Sequence, residues 1–438
     1  MPMRLSLTAT DHRILNIALP SIVSNITVPL LGLVDMAIVG HMGHAAYIGA
    51  VAVGSMVFNL VYWLFAFLRM GSSGMTAQAY GRNDRPAEVA ILLRALAIAM
   101  AIATALIVLQ LPLKQLMFWL IAPTPDVAPL ADTYFRIVIW GAPAMLALYA
   151  LTGWFIGMQN TLLPMTISIL QNVVNIVASL LLVYGLELKV EGVAMGTVVA
   201  QYSGLAVAVG LLNHHYGWWR ALVPAVRRAG VSARQMLTVN RDIFLRTLCL
   251  VAVNLYFTSA GARQGAIILS VNTVMLQLYL FFSYFMDGFA FAGEAMGGRY
   301  YGAADRQAFT NTLRRLFGWA VAVTLAFTLA YVMGGNAIVS LLTDEPQVRA
   351  TARVYLPWAW LVPAAGAAAF IWDGIYIGIT ATRGMLVSSA VATATFYAIA
   401  IATASTLGNH GLWLAQVAYL AVRGLVQTLW IGREKWPI

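Results

Sequence analysis

The chain has 438 residues, of which 61% are hydrophobic and only 10% charged, with a mean hydropathy of +0.80. Soluble domains average roughly 45–50% apolar and about 25% charged residues, so a water-soluble globular protein is excluded. The net charge of +10 would suit nucleic acid, but the basic residues fall between apolar runs, where a membrane surface explains them and a nucleic-acid partner does not.

The first apolar run, Ile14 to Val39, is long enough to span a bilayer core of about 30 Å at about 1.5 Å per residue. The preceding MPMRLSLTATDHR lacks a short apolar region with a small-residue cleavage motif, so an uncleaved first helix is expected. Asp35 lies within that run. Its ionisation is opposed by several kcal/mol unless water, a partner or a proton compensates. Asp35 is therefore read either as a titratable ion or proton site, or as a carboxylate tied to a neighbouring helix. Further runs follow at 47–80, 90–112, 130–157, 161–185 and 192–212, then at 243–262, 265–300, 309–333, 350–379, 384–406 and 411–432. The expected fold is an all-α integral membrane protein of twelve transmembrane helices, the second and eighth longer than a crossing needs. The lone Cys249 excludes an internal disulfide and a Cys-rich metal site.

Arginines gather on one side of these runs, from Arg4 and Arg13 through Arg82, Arg85 and Arg94 to Arg433 and Lys435. The other side mixes Lys114, Arg136 and Lys189 with Asp126, Asp132 and Glu187. By the positive-inside rule both termini are expected in the cytoplasm. The one long hydrophilic connection, 213–242, holds Trp218, Trp219 and several arginines and reads as a cytoplasmic linker at the headgroup surface. It divides the chain into lobes at 1–212 and 243–438, with six helices each.

The lobes repeat one another. AYGRNDR at 79–85 recurs as YYGAADR at 300–306, and Gly153 and Gly157 match Gly374 and Gly378 at the same offset of 221 residues. Six helices separate the copies, so both have one orientation, and a parallel repeat of this kind is expected to hold a binding cavity between its lobes.

In the fifth run Ser168, Gln171, Asn172, Asn175 and Ser179 fall at spacings of 3, 1, 3 and 4, forming one polar face on an apolar helix. Such a face lines a cavity or hydrogen-bonds to neighbouring helices. Thr197 and Gln201 add polar groups one turn apart in the sixth run. Asp35 is ~31 Å along its helix from Ile14, the depth at which Asn175, Ser179 and Thr197 are also expected. A carboxylate ringed by amide and hydroxyl oxygens suits a proton or a hard cation. Asp35, Asn175, Ser179 and Thr197 are thus the candidate coupling site, with Gln171, Asn172 and Gln201 as candidate cavity residues. In the second lobe Asp287 and Asp373 are further cavity candidates; Asp373 and Arg423 sit at comparable depth and are expected to pair. The histidines lie at helix ends or in loops, and no H-E-x-x-H or G-x-S-x-G occurs, so no enzyme is expected.

The stretches IALPSIVSNITVPLLGLVDMAIVGHMG, FLRMGSSGMTAQAYGRNDR, NVVNIVASLLLVYGLELKVEGVAMGTVVAQ and MDGFAFAGEAMGGRYYGAADR resemble the multidrug and toxic compound extrusion (MATE) family, in its DinF-like branch, across essentially the whole chain. Membership implies a monomeric two-lobe exporter in the cell inner membrane, with no cofactor. It would exchange cytoplasmic organic cations and other amphipathic compounds for protons or sodium by alternating access. A lipid or lipid-linked oligosaccharide flippase of the same superfamily is the alternative, for which Arg69 and Arg423 are few to hold a pyrophosphate. The family's first-helix acid falls on Asp35 and its kink proline on Pro20, one of two prolines in that run with Pro29. Its fifth-helix asparagine falls on Asn175 and its sixth-helix threonine on Thr197. Where many members carry a second acid one turn after that asparagine, this chain has Ser179. One formal charge then remains, which favours H+ over Na+ as the coupling ion.

Overall fold

A computed structural model describes residues 7–40, 44–217 and 233–433. The predicted linker tryptophans Trp218 and Trp219, with the rest of 218–232, lie outside the described residues, as do Arg4, His41 to Gly43 and Lys435. The regular structure of the described residues is helical throughout. α1 (Ala9–Gly40) is followed by α2 (Ala45–Leu64), α3 (Phe67–Gly81), α4 (Arg85–Val108), α5 (Gln110–Ile121), α6 (Ala128–Val138), α7 (Ala142–Gly157), α8 (Leu162–Leu180) and α9 (Val190–Tyr216). The second half holds α10 (Ala233–Arg263), α11 (Ala266–Gly302), α12 (Arg306–Leu342), α13 (Pro346–Gly378), α14 (Thr382–Thr403) and α15 (Asn409–Trp430). Eleven helical segments among the described residues are long and apolar enough to cross a membrane. The remaining predicted crossing is α1, whose 32 residues exceed the roughly 20 that a span needs.

Local differences from the sequence reading have local causes. The predicted second run is two helices, because Phe65 and Ala66 donate to the carbonyls of Tyr62 and Trp63, three residues back, at 3.0 and 3.2 Å. Such bonds tighten the turn and interrupt the α-helical ladder. The predicted linker is shorter than 213–242, since Asn213–Tyr216 completes α9 and Ala233–Asp242 opens α10. The 12-residue α5 has no counterpart among the predicted runs. It exposes Leu111, Leu116, Trp119 and Leu120 and is tied to α6 by an ion pair from Lys114 Nζ to Asp132 Oδ1 at 2.6 Å. A helix too short to span, with exposed apolar side chains, suits the membrane interface.

The chain forms two compact units, one of Val23–Met236 and one joining the residues up to Ile22 with those from Leu237 onward. Both boundaries differ from the expected lobes at 1–212 and 243–438. Asp11 accounts for the first difference. Its carboxylate accepts from the Thr8 backbone and hydroxyl at 2.8 and 2.6 Å and from Trp319 Nε1 at 3.1 Å, and it faces Arg315 at 3.4 Å. Gly288 also makes room for α1, since a Cβ there would lie 2.8 Å from the Ala18 carbonyl oxygen. Met236 accounts for the second difference: it is buried with Met75, Ala79, Ala87 and Ile91. The core of the first unit gathers Leu148, Leu151, Trp154, Leu163, Ile167 and Leu212, and the Trp154 indole is satisfied by the Glu88 carbonyl at 2.9 Å.

The repeat persists at the level of atoms within each unit. A Cβ on Gly153 would collide with the Arg69 carbonyl, and one on Gly157 would lie 2.6 Å from that of Ser73. In the second unit a Cβ on Gly374 would collide with the Ala290 carbonyl, and one on Gly378 would lie 2.5 Å from that of Glu294. Glycines and carbonyls alike keep the offset of 221. Asp84 caps α4 through Ala87 N at 3.2 Å and Asp305 caps α12 through Ala308 N at 2.9 Å. Each aspartate follows a left-handed residue, Asn83 at φ 56° and Ala304 at φ 55°. Gly374→Val is expected to force α11 and α13 apart and to destabilise the fold by about 3 kcal/mol, the upper part of the range for overpacking. Thermal unfolding in detergent reads this as a lowered midpoint; an unchanged midpoint would mean that the two helices have room to separate.

Candidate functional site

In the first unit, α1 supplies Asp35, α8 supplies Asn175 and Ser179, and α9 supplies Thr197 and Gln201. Asp35 is 8% exposed, Asn175 1% and Ser179 0%. Asn175 Nδ2 donates to Thr197 Oγ1 at 3.3 Å, and the Thr197 hydroxyl donates to the Val193 carbonyl at 3.1 Å. Ser179 nests against α9 because Gly196 carries no side chain; a Cβ there would lie 2.9 Å from the Ser179 nitrogen. Tyr134 on α6 lies within electrostatic range of Asp35, with its hydroxyl 3.4 Å from the Ser55 hydroxyl. Gln201 is buried beside Tyr62, in space that Gly141 leaves open. The structure thus brings Asn175, Ser179 and Thr197 together where α8 meets α9, and buries Asp35 on α1 within electrostatic range of Tyr134.

These residues are rich in acceptors. Among the described residues, Asp35 Oδ1, Asn175 Oδ1 and Gln201 Oε1 are buried without a hydrogen-bond partner, as is the Ser179 hydroxyl, which can also donate. Leaving such a group unsatisfied costs about 1–3 kcal/mol. A proton on Asp35 converts one acceptor into a donor, and a bound cation would satisfy several oxygens together. Either species relieves the imbalance, and Asp35 supplies the formal charge that attracts it.

The remaining predicted residues take other places. Asn172 donates to the Thr27 carbonyl at 3.2 Å and Ser168 meets the Thr27 hydroxyl at 3.3 Å, so this part of the polar face holds α1 to α8. Gln171 lies against Gly204 of α9, 3.3 Å from where a Cβ would be. Helix α1 runs unbroken through Pro20 and Pro29, and the boundary between the units falls two residues beyond Pro20. Asp287 is half-buried and accepts from the Ser283 hydroxyl at 3.3 Å. Asp373 faces Arg423 at 3.5 Å, as its depth implied, and also pairs with Arg246. Sequence reasoning missed Tyr134, Ser55, Tyr62 and Arg246. Single aromatic hydroxyls inside apolar runs carry no signal of their own, but Arg246, within the seventh run, was visible as an ionisable residue.

A sequence model of the MatE family matches residues 20–181 and again residues 243–402. The chain belongs to the MatE family. The two matches fall one in each half, as the internal repeat requires. DNA damage-inducible protein F of Escherichia coli (strain K12) is 37% identical over 434 residues, which cover 98% of this chain and 94% of that protein. The probable multidrug resistance protein NorM of Thermotoga maritima is 21% identical over 444 residues, covering 97% and 92%. Among solved structures, the Vibrio cholerae MATE transporter VcmN in its bent form superposes with a TM-score of 0.83 at 17% identity, covering 97% of each chain. This MatE chain is therefore a multi-pass membrane protein of a transporter family, with relatives in multidrug efflux.

Proposed function

We propose that this chain is a proton-coupled antiporter of the inner membrane, both termini cytoplasmic, that exports amphipathic or cationic organic compounds by alternating access. The observation that carries the reading is Asp35, a carboxylate buried on a spanning helix whose Oδ1 has no hydrogen-bond partner among the described residues. Ionised, Asp35 presents a negative charge that favours loaded or cation-attracting states; protonated from outside, it becomes a donor to its neighbours and that attraction disappears. Export follows only because substrate affinity differs between the two protonation states. The protein works as a monomer and needs no cofactor. Bending of α1 near Pro20, where proline removes a ladder hydrogen bond, lets the change at Asp35 move the helix.

Dye efflux from proteoliposomes with imposed pH or sodium gradients tests this reading. Efflux driven by pH alone supports it, and efflux that follows only sodium overturns the choice of ion. Ser179 supplies a second measurement. Ser179→Asp would place another carboxylate one turn beyond Asn175, raising the ligand charge on which hard-cation affinity depends. The variant is expected to gain sodium-dependent efflux and to lose about half or more of its proton-driven rate, since a cation held by two carboxylates opposes protonation of either.

A further inference from the structure

Arg246 on α10, Asp373 on α13 and Arg423 on α15 form a buried cluster in the second unit, 6%, 7% and 2% exposed. Asp373 has no oxygen left for a cation. Its Oδ2 accepts from Arg246 Nη2 and faces Arg423 Nη2 at 3.5 Å, while its Oδ1 accepts from Gln427 Nε2 at 2.6 Å. Two guanidinium groups against one carboxylate leave one positive charge in excess, within helices long and apolar enough to span a membrane. Uncompensated charge is strongly disfavoured there. Among the described residues the Nε atoms of Arg246 and Arg423 are buried without hydrogen-bond partners, so unused donors accompany the excess charge. The planar donor fork of arginine matches carboxylate, sulfonate and phosphate oxygens.

The surroundings suit an apolar body attached to such a group. The rings of Phe370 and Tyr419 lie 5.7 and 5.6 Å from Arg423 Cζ. Tyr279 on α11 is half-buried and within electrostatic range of Arg423, Asp373 and Asp287. Asp287 is the other carboxylate near this tyrosine, with the Ser283 hydroxyl at 3.3 Å.

We propose that Arg246 and Arg423 form a subsite for the acidic headgroup of an amphipathic anion, with Asp373 positioning the two guanidinium groups. The subsite deepens the export reading, and rests on it for treating the bound anion as cargo: the substrates include amphiphiles bearing a carboxylate, sulfonate or phosphate. In the sequence Asp373 is a cavity candidate expected to pair with Arg423; the second arginine, Arg246, turns that pair into a group with excess positive charge.

The test uses the full chain in phosphatidylcholine nanodiscs, with calorimetry and thermal unfolding as readouts. The probes are naphthalene-1-sulfonate and its trimethylammonium counterpart, which differ in the sign of the headgroup. The sulfonate is expected to bind at least about tenfold more tightly than the ammonium compound, and Arg423→Gln to abolish the difference, because removing one partner of a buried charged contact costs at least that much. Asp373→Asn raises the excess charge, so sulfonate is expected to bind that variant more tightly and to raise its unfolding midpoint further than that of the unaltered chain. Equal binding of the two probes overturns the proposal. So does an Arg423→Gln protein with a lowered midpoint and unchanged sulfonate affinity, since the cluster would then serve packing alone. In phosphatidylglycerol nanodiscs, stabilisation present before the sulfonate is added assigns the subsite to a lipid headgroup; stabilisation that needs the sulfonate assigns it to a soluble anion. Binding is read without a gradient. Efflux without sulfonate preference sinks the subsite alone, while sulfonate binding without efflux sinks the export reading and leaves the subsite standing.

Discussion

Asp35→Asn protein in proteoliposomes is expected to extrude dye under an imposed proton gradient about 100-fold more slowly than the unaltered chain, the upper part of the range for coupling free energies between sites. Asparagine keeps the size and hydrogen-bonding reach of the side chain but cannot exchange a proton, so both states of the cycle bind substrate alike and the gradient has nothing to act on. The fold should survive, because the change removes a buried carboxylate whose Oδ1 has no partner among the described residues. The variant's unfolding midpoint should equal or exceed that of the parent. Asp287→Asn, run beside it, is expected to retain efflux. A normal rate in Asp35→Asn would end the coupling role assigned to this residue, and loss in Asp287→Asn alone would move that role to the second unit.

Asp373→Ala is expected to have the largest effect on stability, a loss of about 3–5 kcal/mol, as when one member of a buried charged group is removed and its partners stay behind. Here Arg246, Arg423 and Gln427 all lose their shared acceptor. Arg423→Gln should cost less, because Arg246 and Asp373 remain as a pair with no net charge. Denaturant unfolding followed by tryptophan fluorescence separates the two cases. Equal losses would mean that the arginines, and not the carboxylate, hold the cluster together.

The number of crossings was legible because each is a long apolar run, and the repeat because its turn motifs and glycines keep one spacing. The helix periodicity of Asn175 and Ser179 was legible as well: both lie on the face of α8 that meets α9, where Asn175 reaches Thr197 and Ser179 packs at Gly196. The same periodicity could not separate Asn175 from Asn172. Both lie on the polar face of α8, yet one turns to Thr197 and the other to the carbonyl of Thr27, a choice made by neighbouring helices. Chain order likewise hid the division of α1, since Asp11 finds Trp319 and Arg315 only once the helices are packed. Arg246 shows in the sequence only as an ionisable residue near the start of a span. A long basic side chain near the end of a span reads as a headgroup contact until an acid at the same depth is known.

The glycine and carbonyl pairs that join α3 to α7 and α11 to α13, like the capping aspartates Asp84 and Asp305, are two printings of one template, but the polar groups deeper in the spans are not. In the same register of 221 residues, Asn175 answers to Phe396, Ser179 to Ala400 and Asp373 to Thr152, whose hydroxyl merely returns to its own helix at the Leu148 carbonyl. An ancestral half-length protein, doubled, would therefore have kept its frame under constraint in both copies while the polar positions drifted to separate tasks. Neither half can stand in for the other: a chain made of two first halves would carry two acids of the Asp35 kind and no arginine cluster, and one made of two second halves would carry the reverse.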